Sequence, residues 1–301
     1  MKIGIDLGGS HIAIGVVDKS GKIIEKTEKR ITSVEKRNIK KNIEDYIIEN
    51  TNNFIKKYKI ENVGIAIPGT VNSTTIIKSV NLGLEHYNIV EKLEKEIKIP
   101  IKIKNDAKCA ALAESKYGSL KKYKRTLFLT LGTGIGGAVI IDGKLLDTGE
   151  LPGCEIGHMI IEKDGLLCNC GKYGCFERYA SMKALKNNLR KVLGVDEKTR
   201  GQELLDIIRN NNKSNPKYKE IEQVIREFID SLSIGISNLV NIFEPEAIGI
   251  GGSFVFFEDV LLNRLKDNLL NEKYLFNKRE KIQIETTVLG NDAGIIGATL
   301  L

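Results

Sequence analysis

Three cysteines, Cys168, Cys170 and Cys175, are crowded into one short segment that glycines interrupt at positions 171 and 174. Thiolates with this spacing can surround a zinc ion, and tetrahedral zinc needs a fourth protein ligand. The chain has 3 histidines, of which His158 is the one near this segment in sequence. We therefore expect a structural zinc site made by His158 and the three cysteines, with three free thiols as the alternative.

Two glutamates flank the cysteine segment, Glu155 on its N-terminal side and Glu177 on its C-terminal side. Glutamate is usually a solvated surface residue. If a zinc ion fixes the loop, however, both carboxylates can be held where they accept hydrogen bonds from the hydroxyl groups of a ligand. Cys109 and Cys154 lie outside the cluster, and we expect them to be buried, inert thiols.

A glycine turn follows the first apolar run, where Asp6 and Leu7 are succeeded by Gly8, Gly9 and Ser10. Glycines leave backbone N–H groups uncovered, so such a turn can bind phosphate oxygens while the carboxylate of Asp6 holds a magnesium ion through water. An ordinary hairpin turn with a capping aspartate is the competing interpretation. This pattern alone does not separate the two.

A second glycine turn occupies residues 131–137 and begins with Gly132, Thr133 and Gly134. It resembles a dinucleotide-binding fingerprint, but that motif must open a helix, whereas here a β-like apolar run follows at 138–141. The dinucleotide interpretation is therefore rejected. The G-x-x-x-x-G-K-[ST] motif and the protein-kinase H-R-D and D-F-G motifs do not occur in the sequence.

Asn105 and Asp106 stand where a predicted strand turns into a predicted helix. Asp106 can be the N-cap of that helix, a contribution of about 1 kcal/mol. A carboxylate held rigidly at such a place can also act as the general base for a hydroxyl that attacks a phosphoryl group, because phosphoryl transfer depends chiefly on positioning and charge stabilisation. The two roles are compatible.

The apolar patterns predict two α/β units on one plan, each with a strand, a glycine turn, a strand, a turn and a strand in succession. Strands are expected at 3–7, 12–17, 22–25, 63–67, 101–104, 126–131, 138–141, 144–146, 247–250 and 282–289. Helices are expected at 39–58, 89–97, from 106 onwards, 219–243, 257–270 and 291–301. The repetition indicates an internal duplication.

Composition limits the class of protein. The chain has 301 residues, 42% of them hydrophobic, which suffices for two domains. Its 46 basic and 39 acidic residues are interspersed and leave a net charge of +7, unlike the basic stripe of a nucleic-acid binder. Residues 1–6 read as the start of a strand and lack the basic, apolar and small-residue sections of a signal peptide, and no apolar run approaches the ~18 residues of a membrane span. We expect a cytoplasmic protein, and in that reducing compartment clustered cysteines favour a metal site.

In their order and spacing the motifs resemble those of the ROK family (repressor, open reading frame, kinase) of bacterial sugar kinases and regulators. The resemblance spans nearly the whole chain and rests on residues 6–9, 68–69, 105–106, 131–137, 155–158, 168–177 and 251–252. It implies an α/β fold of the actin and hexokinase type, with two ribonuclease-H-like domains flanking a cleft. We expect a smaller domain at 1–115 plus 290–301 and a larger one, with the zinc loop, at 116–289.

The resemblance implies an ATP-dependent kinase that phosphorylates the 6-hydroxyl of a hexose, with Asp106 as general base. The implied sugar ligands are Gly69, Asn105, Asp106, Glu155, His158 and Glu177. The residues expected at ATP are Asp6, Gly8, Gly9, Ser10, Gly132, Thr133 and Gly134, with Gly251 and Gly252 near adenosine. His158 would bind zinc through one ring nitrogen and sugar through the other. Expected partners are sugar, ATP and further copies of the chain as a dimer or tetramer, without nucleic acid or membrane.

The sugar stays open between glucose, which family prevalence favours, and N-acetylglucosamine or N-acetylmannosamine, which differ from it at carbon 2. Discrimination is expected to depend on loops at 70–87 and 145–154, and Ala138 replaces a glycine common in family glucokinases. A sugar-responsive regulator is the alternative of another class. Such repressors carry an N-terminal helix-turn-helix, for which a phosphate motif starting at Asp6 leaves no room. A zinc-ribbon nucleic-acid module would need more basic and aromatic residues than Lys172 and Tyr173 near the cysteines.

Overall fold

The computed structural model describes residues 1–32, 34–146, 153–270, 273–275 and 282–301. The chain forms two compact units, one made by Met1–Lys124, Ile140–Cys154 and Val288–Leu301, the other by Arg125–Val139 and Glu155–Thr287. The domain boundaries expected at 115/116 and 289/290 stay a prediction, since a compact unit is not by itself an independently folding domain.

The described residues form strands and helices with the following bounds. The strands are β1 (Lys2–Leu7), β2 (His11–Val17), β3 (Ile23–Arg30), β4 (Val63–Ile67), β5 (Thr70–Val71), β6 (Ile76–Ser79), β7 (Leu84–Tyr87), β8 (Ile101–Asn105), β9 (Arg125–Leu131), β10 (Ile135–Ile141), β11 (Lys144–Leu145), β12 (Ala247–Gly252) and β13 (Gln283–Thr286). The helices are α1 (Ile39–Lys57), α2 (Ile89–Glu94), α3 (Asp106–Lys116), α4 (Glu177–Ala180), α5 (Met182–Leu193), α6 (Gly201–Arg209), α7 (Tyr218–Phe243), α8 (Glu258–Leu269) and α9 (Ala293–Ala298).

The sheet of the first unit has the strand order β3-β2-β1-β4-β8. β2 pairs antiparallel with β1 and β3, whereas β4 runs parallel to β1 and β8. β4 is buried along its whole length, as its unbroken apolar sequence requires. Because β1, β4 and β8 run in the same direction, their carboxyl ends lie at one edge of the sheet.

The second five-stranded sheet repeats this order as β11-β10-β9-β12-β13, with β12 parallel to β9 and β13. In each sheet the first strand in chain order is central and is flanked by the second and the fourth. The repeated order is what an internal duplication predicts. Residues 70–87, expected as a loop, instead form the small antiparallel sheet β5-β6-β7.

Apolar residues at helical spacing bury one face of each long helix. In α1 the buried positions include Ile39, Ile43, Ile47 and Phe54, which join the core beneath the first sheet. In α7 a longer apolar stripe is buried within the second unit. None of the described helices combines the length and the apolar character that a bilayer span requires.

Some predicted ends of strands are wrong, and three helices were not predicted. β10 starts at Ile135 rather than 138, because the glycines at 136 and 137 continue the strand. Gly251 and Gly252 belong to the end of β12 rather than to a turn beyond it. The helices α4, α5 and α6 were not predicted, although α5 carries the signals of an N-cap at Ser181 and a left-handed C-cap at Gly194.

Candidate active site and metal centre

The carboxyl edge of the first sheet gathers four of the predicted site residues. The strand register aligns Asp6 with Ala66 on β4, and Ile67 with Asn105 on β8. The Asn105 Nδ2 group donates to the Gly69 carbonyl at 2.9 Å. Gly69 has a φ of +100°, and a Cβ there would lie 2.4 Å from the Lys78 carbonyl oxygen, so no other residue fits without strain. Asp6, Gly69, Asn105 and Asp106 thus lie along one edge.

Asp106 is not the N-cap of α3, as its simplest interpretation required. The cap is Asn105, whose Oδ1 accepts a hydrogen bond from the Lys108 N–H at 3.2 Å. Asp106 is the first residue of the helix, and its Oδ1 accepts from the Ala107 N–H at 2.8 Å. The positive end of the helix dipole favours a negative charge at this position. A carboxylate so placed can receive a proton from a hydroxyl group.

The carboxylate of Asp6, on β1, has close neighbours at the start of β2 and at the start of α9. The His11 Nε2 atom lies 3.5 Å from Asp6 Oδ2. The hydrogen bond with Asp6 raises the pKa of His11. At the start of α9, a Cβ on Gly294 would lie 2.7 Å from the Asp6 carboxyl carbon. His11 and Gly294 were not predicted as site residues, because neither stands in a motif whose spacing signals it.

Gly8, Gly9 and Ser10 form the hairpin turn itself. The Gly8 N–H donates to the His11 carbonyl at 2.9 Å, and the Ser10 carbonyl accepts from the Ile31 N–H at 2.8 Å. The turn is therefore a genuine hairpin, in which the Gly8 N–H already has a backbone acceptor. Asp6 is 18% exposed through its side chain, and carboxylate oxygens are ligands that magnesium prefers, so the donor set fits a magnesium ion bound through water.

Two glycine segments meet at the carboxyl edge of the second sheet. Gly252 pairs in register with Leu131, the last residue before the turn formed by Gly132, Thr133 and Gly134. Gly252 has a φ of +71°, and a Cβ there would lie 2.6 Å from the Leu131 carbonyl oxygen. Thr133 and Gly252 are exposed. The edge therefore offers uncovered backbone that a phosphate or nucleoside can approach closely.

The four predicted metal ligands come together in the second unit. The ligand atoms of His158, Cys168, Cys170 and Cys175 all lie within 4.8 Å of one another. The Cys170 and Cys175 sulfurs are 3.6 Å apart, and the Cys168 sulfur lies 3.8 Å from His158 Nδ1. Zn–S bonds of about 2.3 Å place two sulfurs about 3.8 Å apart in a tetrahedron. The donor set and its spacing fit zinc.

The geometry of the cluster also determines which ring nitrogen of His158 can coordinate a metal ion. Nδ1 faces the Cys168 sulfur, which leaves Nε2 available to another ligand. Burial raises the pKa of Cys168 to about 12. Burial also raises the pKa of Cys175, whereas for Cys170 the raising effect of burial is outweighed by hydrogen bonds from Lys172 and the other two thiols, and its pKa is lowered. A bound metal ion would deprotonate all three thiols.

Glu177 connects the cysteine cluster to the glycine turn. Its Oε1 accepts a hydrogen bond from the Cys168 thiol at 3.1 Å and lies 3.9 Å from His158 Nδ1. Its Oε2 accepts from the Ile135 N–H at 3.4 Å, and a Cβ on Gly134 would lie 2.3 Å from the same oxygen. A residue larger than glycine at position 134 would therefore displace the carboxylate.

Glu155 occupies the N-cap position of a short 3-10 helix, Ile156–His158, and its carbonyl accepts from the His158 N–H at 3.0 Å. Its side chain is exposed. Of the remaining cysteines, Cys109 is buried, and burial raises its pKa well above the ordinary value, as expected of an inert thiol. Cys154 is only partly buried, contrary to the expectation.

A sequence profile of the ROK family matches residues 2–301. The chain belongs to the ROK family. It is 30% identical over 311 residues to the glucokinase of Streptomyces coelicolor, a match that covers 99% of this chain and 96% of that one. It is 29% identical to the xylose repressor of Caldicellulosiruptor bescii, with 98% of this chain and 76% of that one covered.

Among solved structures, the ROK glucokinase of Streptomyces griseus in complex with glucose and AMPPNP superposes with a TM-score of 0.78. The two chains are 27% identical, and the match covers 99% of this chain and 97% of that one. The α/β fold of the ROK hexokinase type, expected from the motifs, is thereby confirmed. Of the two loops expected to select the sugar, residues 70–87 form β5-β6-β7, whereas residues 147–152 of the second lie outside the described residues.

Proposed function

We propose that this ROK protein is an ATP-dependent sugar kinase that phosphorylates the 6-hydroxyl of a hexose, with glucose as the preferred substrate. The position of Asp106 carries the proposal. Asp106 is the first residue of α3, directly after the capping residue Asn105. It therefore lies at the carboxyl edge of the first sheet, the edge at which β1 with Asp6 also ends. Matches over nearly the full length to proteins named glucokinase support it.

In the proposed reaction, the oxygen of the sugar 6-hydroxyl forms a bond to the γ-phosphorus of ATP, and Asp106 accepts the proton of that hydroxyl. The bond between that phosphorus and the bridging oxygen breaks, and ADP leaves. Asn105 orients the sugar, and Gly69 supports it through its hydrogen bond to Asn105. A magnesium ion held through water by Asp6 would neutralise phosphate charge. Backbone N–H groups at Gly9 and Ser10 bind phosphate oxygens, whereas the Gly8 N–H already donates to the His11 carbonyl and supports the turn.

In the second unit the glycine turn Gly132-Thr133-Gly134 is assigned to ATP phosphate, and Gly251 and Gly252 to adenosine. Zinc held by His158, Cys168, Cys170 and Cys175 would be structural, because protein atoms fill all four positions. We assign Glu155, His158 Nε2 and Glu177 to the sugar hydroxyl groups. ATP and a thiolate zinc site both suit a reducing cytoplasm. We also propose that the chain assembles with further copies of itself into a dimer or tetramer, and light scattering measures the mass of that assembly.

A substrate panel tests the proposal. Glucose, mannose, N-acetylglucosamine and N-acetylmannosamine are each supplied with ATP and magnesium, and release of ADP is followed. We expect the largest kcat/KM with glucose, since a site that hydrogen-bonds the 2-hydroxyl discriminates against an acetamido group there. A higher kcat/KM with an N-acetylhexosamine would overturn the choice of glucose. ADP release with none of the sugars would overturn the kinase itself.

The relation to a xylose repressor motivates a second candidate, a sugar-responsive regulator. A regulator of this kind binds sugar without turning it over, so the two functions differ in a direct measurement. Sugar binding by calorimetry together with ADP release that does not exceed the background hydrolysis of ATP would favour the regulator. Stoichiometric conversion of sugar and ATP would favour the kinase.

A further inference from the structure

Lys186, on the second turn of α5, lies beside the two glycine segments of the second sheet. Its Nζ atom is 3.5 Å from the Ser253 hydroxyl, which in turn is 3.4 Å from the Leu131 carbonyl oxygen. The same helix reaches the turn through its backbone, since the Lys183 N–H donates to the Gly132 carbonyl at 3.0 Å. The ammonium group therefore lies beside the residue that follows Gly252, on a helix that is hydrogen-bonded to the Gly132 turn.

The surroundings of this ammonium group contain cations and dipoles rather than a counter-ion. Its Nζ atom lies 5.5 Å from the centre of the Phe257 ring, and it forms an ion pair with no carboxylate among the residues that the structure describes. Burial, and then the charge of Arg190, lower the pKa of Lys186. Arg190 itself is engaged by the Thr199 carbonyl and by Asn187.

Partial burial removes water from the ammonium group of Lys186, and no ion pair within the described part of the chain offsets the loss of that hydration. A lysine ammonium offers three hydrogen-bond donors, of which the Ser253 contact uses one. The adjoining Thr133 and Gly252 are exposed, so a ligand can reach the place from solvent. An anion with several oxygen acceptors would satisfy both the charge and the free donors.

We propose that Lys186 binds the phosphate groups of a nucleotide at the carboxyl edge of the second sheet, with Ser253 holding its ammonium in position. The inference rests on the proposed function, because it names a ligand of the same ATP site, and it adds a residue outside the family motifs. A phosphate is favoured over the base because the Phe257 ring is buried and its face is covered by the lysine.

Calorimetric titration with AMPPNP, ADP and adenosine, in the presence of magnesium, tests the inference on the full chain. We expect Lys186→Met to raise the Kd for AMPPNP and for ADP about tenfold or more, the loss of one hydrogen bond to a charged group. The Kd for adenosine should stay within about twofold, since adenosine carries no phosphate. Lys186→Arg keeps the cation and should restore most of the phosphate-dependent affinity.

Lys191→Met is the matched control, because Lys191 is an exposed residue of the same helix. It should leave all three dissociation constants unchanged. An equal loss of affinity for adenosine in Lys186→Met would overturn the inference and assign the lysine to the packing of α5 on Phe257. Unchanged AMPPNP affinity would also overturn it.

The outcome separates this inference from the kinase proposal. Wild-type protein that binds AMPPNP through Lys186 but phosphorylates no sugar would overturn the proposed function and support the inference. If the wild-type protein phosphorylates a sugar and Lys186→Met binds AMPPNP with unchanged affinity, the proposed function is supported and the inference about Lys186 is overturned. Wild-type protein that binds no nucleotide would overturn both.

Discussion

Asn105 and Asp106 divide between them two tasks that the sequence assigned to one residue. Asn105 caps α3 and donates to the Gly69 carbonyl, and Asp106 is the first residue of the helix, where we propose that its carboxylate acts as the base. We expect Asp106→Asn to lower kcat by roughly 10² to 10⁴, the usual contribution of a general base. Sugar phosphorylation coupled to ADP release measures it.

The control is Asp45→Asn, the same change at an exposed position of α1, which should leave kcat unaltered. The free energy of unfolding of Asp106→Asn should fall by no more than about 1 kcal/mol, since the amide can still accept the Ala107 hydrogen bond although the charge at the helix N-terminus is lost. Near-normal kcat in a folded Asp106→Asn protein would remove Asp106 from the role of base.

Residues that belong to a spaced motif could be predicted from the sequence, and residues that reach the site through folding could not. The Cys3His set is an example of the first kind, because its spacing already limits the geometry. His11 and Lys186 are examples of the second kind. A lone histidine after a glycine turn, or a lysine in an amphipathic helix, carries no pattern until its neighbours in space are known.

At the scale of elements, Glu177 connects the cysteine loop at residues 168–175 to the glycine turn after β9. We expect Cys170→Ala to lower the zinc content below one ion per chain and to raise KM for the sugar more than it lowers kcat. Three remaining ligands hold zinc less tightly, and His158 and Glu177 lose a fixed position. Elemental analysis and steady-state kinetics measure the two effects.

Cys170 suits this test because it is the exposed member of the cluster, so its truncation leaves no buried cavity. Cys154→Ala is the matched control for zinc content, since Cys154 lies outside the cluster and should keep zinc at the wild-type value. Purified wild-type protein without metal would refute the role of the loop as a zinc site.

Strands and long helices were predicted better than the elements that bring them together. β4 matched its predicted bounds and α1 and α7 differ from theirs by one residue, because long apolar runs and stripes dominate local structure there. The helices α4 to α6 follow the cysteine loop and were not predicted. α5 buries Met182, Leu185 and Leu189 at helical spacing, so its period was present in the sequence and was overlooked, and the same holds for α6. Only α4, with four residues, is too short to give a period.

At the scale of the whole chain, the C-terminal segment returns to the first unit and is fixed there by a buried carboxylate. Glu114 on α3 is 0% exposed. Its Oε1 accepts from the Val288 and Leu289 N–H groups at 3.0 and 2.8 Å, and its Oε2 accepts from the N–H and hydroxyl of Ser119 at 2.9 and 3.3 Å. Both oxygens therefore face only donors, which an ionised carboxylate satisfies.

Glu114→Gln should lower the free energy of unfolding by about 1–3 kcal/mol, because the amide must turn an N–H group toward one of the two donor pairs and leave it unsatisfied. A chain of this size loses about 2–4 °C in Tm per kcal/mol. Differential scanning calorimetry measures the shift, with Glu49→Gln on the exposed surface of α1 as control. The zinc content should not change, since the cysteine cluster belongs to the other unit. An unchanged Tm would mean that the C-terminal segment is anchored by its apolar contacts alone, through residues such as Ile295 and Ile296.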